Sequence, residues 1–338
     1  MTILRSIFRL LGVALLLGSL LLGWLMLDFG EFRSQALAVP EEGYVLSVAP
    51  GDSLRGLADR LASEGLVSNS HYLVFLGRWT QRARAIRTGE YRLQPGLTPD
   101  AFLDQLVAGK SIQYALTLVE GWGFAQLLTA VRTSSELKHT LGESPPAEIM
   151  KRIGHGGEHP EGRFFPDTYN FPRGTTDVAF LQRAYDAMSE HLEREWQGRE
   201  PGLPLKDAYE ALTLASIVEK ETGAAVERPE IAGVFVRRLR LGMKLQTDPT
   251  VIYGLGDGFD GNLRRRDLTS DTPYNTYTRT GLPPTPIAMP GLAAIRAAVH
   301  PADGKTLYFV AKGDGTHYFS ETLDEHNRAV RKYQLRRK

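Results

Sequence analysis

Residues 10–27 (LLGVALLLGSLLLGWLML) run without a single charged side chain. As a helix, a run of this length rises about 27 Å, close to the hydrocarbon thickness of a bilayer. The pattern predicts one membrane-spanning helix ahead of a mixed, polar remainder. Arg5 and Arg9 precede the run, whereas Asp28 and Glu31 follow it. Basic residues favour the cytoplasmic side of a span, so residues 1–9 are expected as a cytoplasmic tail and residues 10–28 as the transmembrane anchor. Everything beyond is then translocated, and Trp24 sits near the far interface. The rival reading is a cleaved signal peptide, with Ala36 and Ala38 as the small residues of a cleavage site. The apolar run exceeds an ordinary h-region of about 7–15 residues, and the Ala pair lies well past its end. An uncleaved single-pass anchor with Lys338 outside the cytoplasm is expected.

Composition narrows the partners. Forty Lys and Arg against 39 Asp and Glu leave a formal charge of +1, without the basic excess that neutralising many phosphates requires, so no nucleic-acid partner is expected. The dense basic clusters, Arg264, Arg265 and Arg266 and the terminal Arg336, Arg337 and Lys338, read as solvated surface. The chain has no Cys, which excludes disulfides, thiolate metal sites and a catalytic thiol. No Gly-rich phosphate loop or dinucleotide fingerprint occurs, and neither a cofactor nor a metal is expected.

An α+β fold in two parts is expected. Residues 29–42 are polar and aperiodic and read as a linker. Residues 43–110 read as a small β-α-α-β unit: a strand at 44–48, a Pro50-Gly51-Asp52 turn, and a helix begun by Ser53 with Leu54, Leu57, Ala58 and Leu61 at helical spacing. A helix at 71–79 and a closing strand at 91–93 complete it. An amphipathic helix at 98–108 carries a capping Thr98, Pro99 at its first position and Gly109 at its end. Residues 111–338 read as the larger mixed α/β catalytic domain, with a strand at 112–119, a hairpin over 307–319 and a terminal helix at 322–333.

Two motifs invite misreading. Gly51-Asp52-Ser53-Leu54 spells the GDSL esterase signature, but the nearest Asp and His candidates, Asp324 and His326, have the wrong spacing and lie on the terminal helix. Residues 44–58 (YVLSVAPGDSLRGLA) instead resemble the LysM carbohydrate-binding module, in which Ser53 is a helix cap. His155-Gly156-Gly157-Glu158-His159 fits the H-x-x-E-H pattern of inverted zinc proteases. That chemistry needs both His on one helical face, and two Gly followed by Pro160 favour a loop. The aromatic-rich residues 161–171 read as a core edge or as a sugar-stacking wall.

Residues 207–222 (DAYEALTLASIVEKET) are helical by length, Ala content and freedom from Gly and Pro. At 100° per residue, Ala208, Leu212, Ala215 and Glu219 share one stripe, so Glu219 is expected to project from an apolar face. A desolvated carboxyl is held in its neutral form and can donate a proton near neutral pH. The bland alternative is an exposed Glu or one paired with an Arg. Glu221 points elsewhere, beside Leu214 and Ile217.

The strings at 215–222 (ASIVEKET), 245–254 (LQTDPTVIYG), 273–277 (PYNTY) and 281–284 (GLPP) closely resemble the YceG-like family, the endolytic, membrane-anchored lytic transglycosylases of bacterial peptidoglycan. The resemblance spans the soluble region and implies several properties. It implies a lyase that cleaves the β-1,4 bond between N-acetylmuramic acid (MurNAc) and N-acetylglucosamine (GlcNAc), leaves 1,6-anhydro ends and terminates growing glycan strands. It places the family's single acid/base Glu on Glu219, and it implies an inner-membrane location and cell-wall synthases as partners. Gln246, Tyr274, Asn275 and Tyr277 offer amide, phenolic and aromatic groups for substrate binding, or else loop structure. Asp248 reads as a turn or helix cap. The competing function is a non-catalytic, membrane-tethered peptidoglycan-binding protein, to which a desolvated carboxyl offers nothing.

Overall fold

The computed structural model describes residues 2–335, with side chains from Leu10 onward, so the side chains of Arg5 and Arg9 and the terminal cluster ending at Lys338 lie outside the described residues. Among the described residues helices dominate, and the strands form three two-stranded pairs. The chain divides into two compact units, residues 1–114 with 171–174, and residues 115–170 with 175–338.

In the first unit, α1 (Thr2–Ser34) is long and apolar enough to cross a bilayer, and nothing in the protein covers the apolar window that starts at Leu10. The expected linker at 29–42 is corrected here, because the helix continues to Ser34 and the chain then packs. Phe32 and Leu37 are buried, the Leu37 amide donates to the Leu97 carbonyl at 2.8 Å, and the Ala38 amide donates to the Leu66 carbonyl at 3.0 Å. Phe29 and Phe32, three apart, carry an apolar helix face on among polar residues, which a count of polarity misses.

The β-α-α-β order follows: β1 (Tyr44–Val48), α2 (Leu54–Ser63), α3 (Ser70–Trp79) and β2 (Gly89–Leu93). β1 and β2 pair antiparallel, Tyr44 opposite Leu93 and Val48 opposite Gly89. Leu46, Val48, Tyr91 and Leu93 alternate inward onto Leu54, Leu57, Ala58 and Leu61 of α2. α4 (Pro99–Ala108) ends at Gly109, whose φ of 68° suits a residue without Cβ.

Ser53 is the N-cap of α2 and accepts from the Gly56 amide at 3.2 Å. Ser53→Ala is therefore expected to lower stability by about 1 kcal/mol and to leave glycan cleavage intact, measured by thermal unfolding alongside a digestion assay. Loss of turnover in a fully folded variant would contradict the cap.

β3 (Gln113–Thr117) pairs with β4 (Thr168–Pro172), and the division between the units falls within both strands. The second unit then contains α5 (Phe124–Thr133), α6 (Pro146–Arg152), α7 (Asp177–Gln197), α8 (Ala208–Glu221), α9 (Arg228–Arg240), α10 (Asp248–Leu255), α11 (Arg265–Thr269) and α12 (Leu292–Val299). The antiparallel hairpin of β5 (Tyr308–Ala311) and β6 (His317–Ser320) and the helix α13 (Leu323–Val330) close it. α8 is the axis of this core: every residue from Ala211 to Val218 is buried, against α7, α9 and α12. Residues 155–159 form a loop, as their Gly content predicts. Phe164, Phe165 and Tyr169 are buried, so that stretch is a core edge instead of a sugar-stacking wall. The helix expected at 322–333 ends regularly at Val330 and continues as a wider turn to Leu335.

Candidate active site

α8 ends by releasing two carboxylates to different surroundings. Glu219 is ion-paired with Arg228 at 3.1 Å, and its other oxygen accepts from the Gly291 amide at 3.0 Å. Gly291 is the N-cap of α12, so its amide stands at the head of that helix. The expectation of a lone Glu219 on an apolar face is thereby corrected: both of its oxygens are engaged, and its partner is the Arg that begins α9.

Glu221 lies on the wall of an open cavity of about 540 Å³ whose lining includes Arg238, Gln246, Asp248, Tyr277 and His317. Burial is the main cause that raises its pKa, helped by the charge of Asp248; a hydrogen bond from the Thr247 hydroxyl and the charge of His317 act the other way, and the result is about 7. Asp248, at the head of α10, accepts from the Tyr277 hydroxyl at 2.6 Å, and burial together with that contact holds the Tyr277 phenol well above its ordinary range. His317 is oriented from behind: Glu227 accepts from its backbone amide at 2.9 Å and meets its Nδ1 at 2.7 Å, which leaves Nε2 as the ring nitrogen for the cavity.

The loop that leads into Asp248 is held by Arg238. Its guanidinium donates to the carbonyls of Lys244 and Leu245, each at 3.0 Å, and to the Leu307 carbonyl at 2.6 Å. Nη1 also reaches Gln246 Oε1 at 3.3 Å. Gln246 itself takes a φ of 53°, backbone strain of a kind that surrounding structure must hold in place.

Of the four residues expected to touch substrate, Gln246 and Tyr277 line the Glu221 cavity. Asn275 is buried and clamps a loop, its amide donating to the carbonyls of Asp267, Leu268 and Ser270 and its oxygen accepting from the Tyr277 amide. Tyr274 packs edge-on against Tyr253 and bonds Thr285 at 2.9 Å. Both side chains thus make contacts that hold their own loop. Arg238 is the cavity group that sequence reasoning passed over, while Asp248, read from the sequence as a turn or helix cap, lines the cavity from the head of α10.

Two other places compete. A larger cavity of about 770 Å³ is lined by Glu120, Arg228 and Arg296, but its ions are already matched, Arg228 with Glu219 and Arg296 with Glu195 at 3.0 Å. Glu161 also has a pKa raised by burial, yet its oxygens accept from the Phe124 amide at 3.0 Å and the Tyr253 hydroxyl at 3.1 Å, and it lines neither cavity. A carboxyl whose pKa is raised by burial to about 7, open to a cavity and ringed by polar groups, occurs at Glu221.

The profile of the YceG-like family matches residues 46–332. The chain belongs to this family. Among its relatives, a Bacillus subtilis (strain 168) protein named endolytic murein transglycosylase is 31% identical over 305 residues, spanning 85% of this chain and 84% of the relative. A Streptococcus pneumoniae (serotype 2, strain D39) protein of the same name is 26% identical over 322 residues, 84% of this chain and 57% of that longer protein. A crystal structure of a yceG-like protein from Listeria monocytogenes superposes with a TM-score of 0.53 at 29% identity, covering 86% of this chain and all of that one. The YceG-like match covers all of α8 and every residue lining the Glu221 cavity except Gln334.

Proposed function

We propose that this chain is a lytic transglycosylase of peptidoglycan, anchored by α1 in the inner membrane with its bulk outside the cytoplasm, and that it cuts glycan strands internally at the Glu221 cavity. The name shared by its relatives supports the reaction class, and the placement of the Glu221 carboxyl on the wall of an open cavity, among Asp248, Gln246, Tyr277 and His317, is the observation that carries the site. Glu221 then replaces Glu219 as the proton-transfer group.

The chemistry needs one carboxyl in two states. Protonated Glu221 gives its proton to the oxygen linking MurNAc C1 to GlcNAc C4, and the C1–O bond breaks with positive charge growing at C1. Asp248, a cavity group with a negative charge to offer, favours that charge. The Glu221 carboxylate next takes the proton of the MurNAc 6-hydroxyl as O6 bonds to C1, which closes the 1,6-anhydro ring and returns Glu221 to its starting form. No second carboxylate need activate a water, in contrast to the usual hydrolases. Gln246, Tyr277 and Nε2 of His317 supply donors and acceptors for hydroxyl and N-acetyl groups. The first unit, with its LysM-like order, presents the strand, and termination of strands beside their synthases suits an anchored endolytic enzyme.

The test is digestion of purified glycan strands by the full-length protein, with mass spectrometry of the new ends. Anhydro ends are expected, and the rate falls as pH rises through about 7, because deprotonated Glu221 cannot protonate the leaving oxygen. Reducing ends would mean hydrolysis. Strands bound but intact would mean a tethered binding protein.

A further inference from the structure

Beyond Leu27, Phe75 and Trp79 are the Phe and Trp side chains that stand exposed among the described residues, at 55% and 62%. They lie on α3, one turn apart, with Arg78 exposed between them. The opposite side of this helix is ordinary core, with Leu73, Val74 and Leu76 buried. α3 thus has two apolar faces, one of which the protein leaves open.

That open face is joined to α1 at a defined height. The ring of Phe29 packs edge-on against Phe75 at 5.2 Å and Tyr72 at 5.5 Å, and it lies 6.3 Å from Trp79. The Tyr72 hydroxyl donates to Asp28 at 2.6 Å, and the Arg33 guanidinium sits over the Trp79 ring at 5.9 Å. Phe29 is two residues beyond the end of the apolar run, a rise of about 3 Å along a continuous helix. A span that places residues 10–27 in hydrocarbon therefore sets Phe75 and Trp79 at the headgroup layer of the same leaflet, where amphipathic rings are favoured. Arg78 and Arg84 are exposed there, and among the described residues neither has a carboxylate within ion-pair distance, while Arg82 is matched by Asp100 and Asp104.

We infer that the face formed by Phe75, Arg78, Trp79 and Arg84 is a membrane-contact surface that holds the first unit against the phospholipid headgroups, acidic ones above all. The unit is seated on the bilayer and does not swing on a tether. The inference rests on α1 crossing the membrane, and it is independent of the assignment of Glu221.

Because the chain has no Cys, single Cys substitutions can be spin-labelled without altering any other residue. The full-length protein carrying Leu17→Cys, Phe75→Cys or Trp79→Cys is placed in vesicles of phosphatidylethanolamine and phosphatidylglycerol, and collisions of the label with oxygen and with a water-soluble nickel chelate are compared. Both soluble-unit sites are exposed, so labelling leaves the core untouched. Labels at 75 and 79 are expected to favour oxygen several-fold over an aqueous label, at headgroup depth, and to move toward water when Arg78 and Arg84 are both changed to Glu. A lipid signal at 17 with aqueous values at 75 and 79 overturns the membrane face. Aqueous values at all three overturn the spanning helix and the inference with it. Immobilisation of the 75 and 79 labels by added glycan strands, without a lipid effect, makes the face a sugar platform and overturns the proposal as well.

Discussion

Glu221→Gln abolishes strand cleavage and makes the protein more stable above neutral pH. The rate loss follows from general acid–base help worth about 10² to 10⁴, with leaving-group protonation at the upper end. The stability gain follows from linkage. The folded pKa of Glu221, about 7, lies above its ordinary value of 4.5, so the folded state binds this proton more tightly than the unfolded chain does. The contribution is fully present below pH 4.5 and is lost as pH rises to about 7; beyond that the fold carries an anion in a poorly solvated place. The difference is on the order of 3 kcal/mol. A Gln never ionises and still accepts from the Thr247 hydroxyl. Thermal unfolding should therefore favour the variant at about pH 8, with the gap closing toward pH 5. Anhydro ends formed at near wild-type rate would sink the assignment, and an inactive variant that is less stable at every pH would make Glu221 structural.

The architecture was largely legible because it depends on local signals. Caps at Ser53 and Thr98, the Pro99 start and the Gly109 stop, and the alternation in β1 and β2 are decided within a few residues of where they act. The helix bearing the site was equally plain. What surrounds each of its two carboxyls was not, since a helical wheel assigns faces by what a helix itself contains, and α8 is buried all round from Ala211 to Val218. The partners that distinguish Glu219 from Glu221 come from elsewhere: Arg228 from α9, the Gly291 amide from a segment 72 residues on, Thr247 and Asp248 from the head of α10, and His317 from β6. Asn275 stayed open between substrate and loop for a related reason, since a polar residue in a loop reads the same whether its amide faces a ligand or three carbonyls of its own chain.

Glu219→Gln is the second large effect, and it has the opposite character. The Glu219 and Arg228 side chains are only 6% and 11% exposed, and removing one charge leaves the other poorly solvated, with Glu120 3.9 Å away as its remaining anion. Breaking a buried pair in this way costs about 3 kcal/mol, the lower end of the usual range, because the amide oxygen still accepts a hydrogen bond. The melting temperature should fall by several degrees at neutral pH, while the folded protein still yields anhydro ends. A matched double change, Glu219→Leu with Arg228→Met, separates structure from chemistry further: replacing both members of a buried pair by apolar residues is often neutral, so much of the lost stability should return, less the cost of the Gly291 amide left without its acceptor, and cleavage should persist. A Glu219 that carried the proton could not be restored by Leu. If the double variant folded like the wild type and produced no anhydro ends, proton transfer would return to Glu219, and the cavity beside Glu221 would need another purpose.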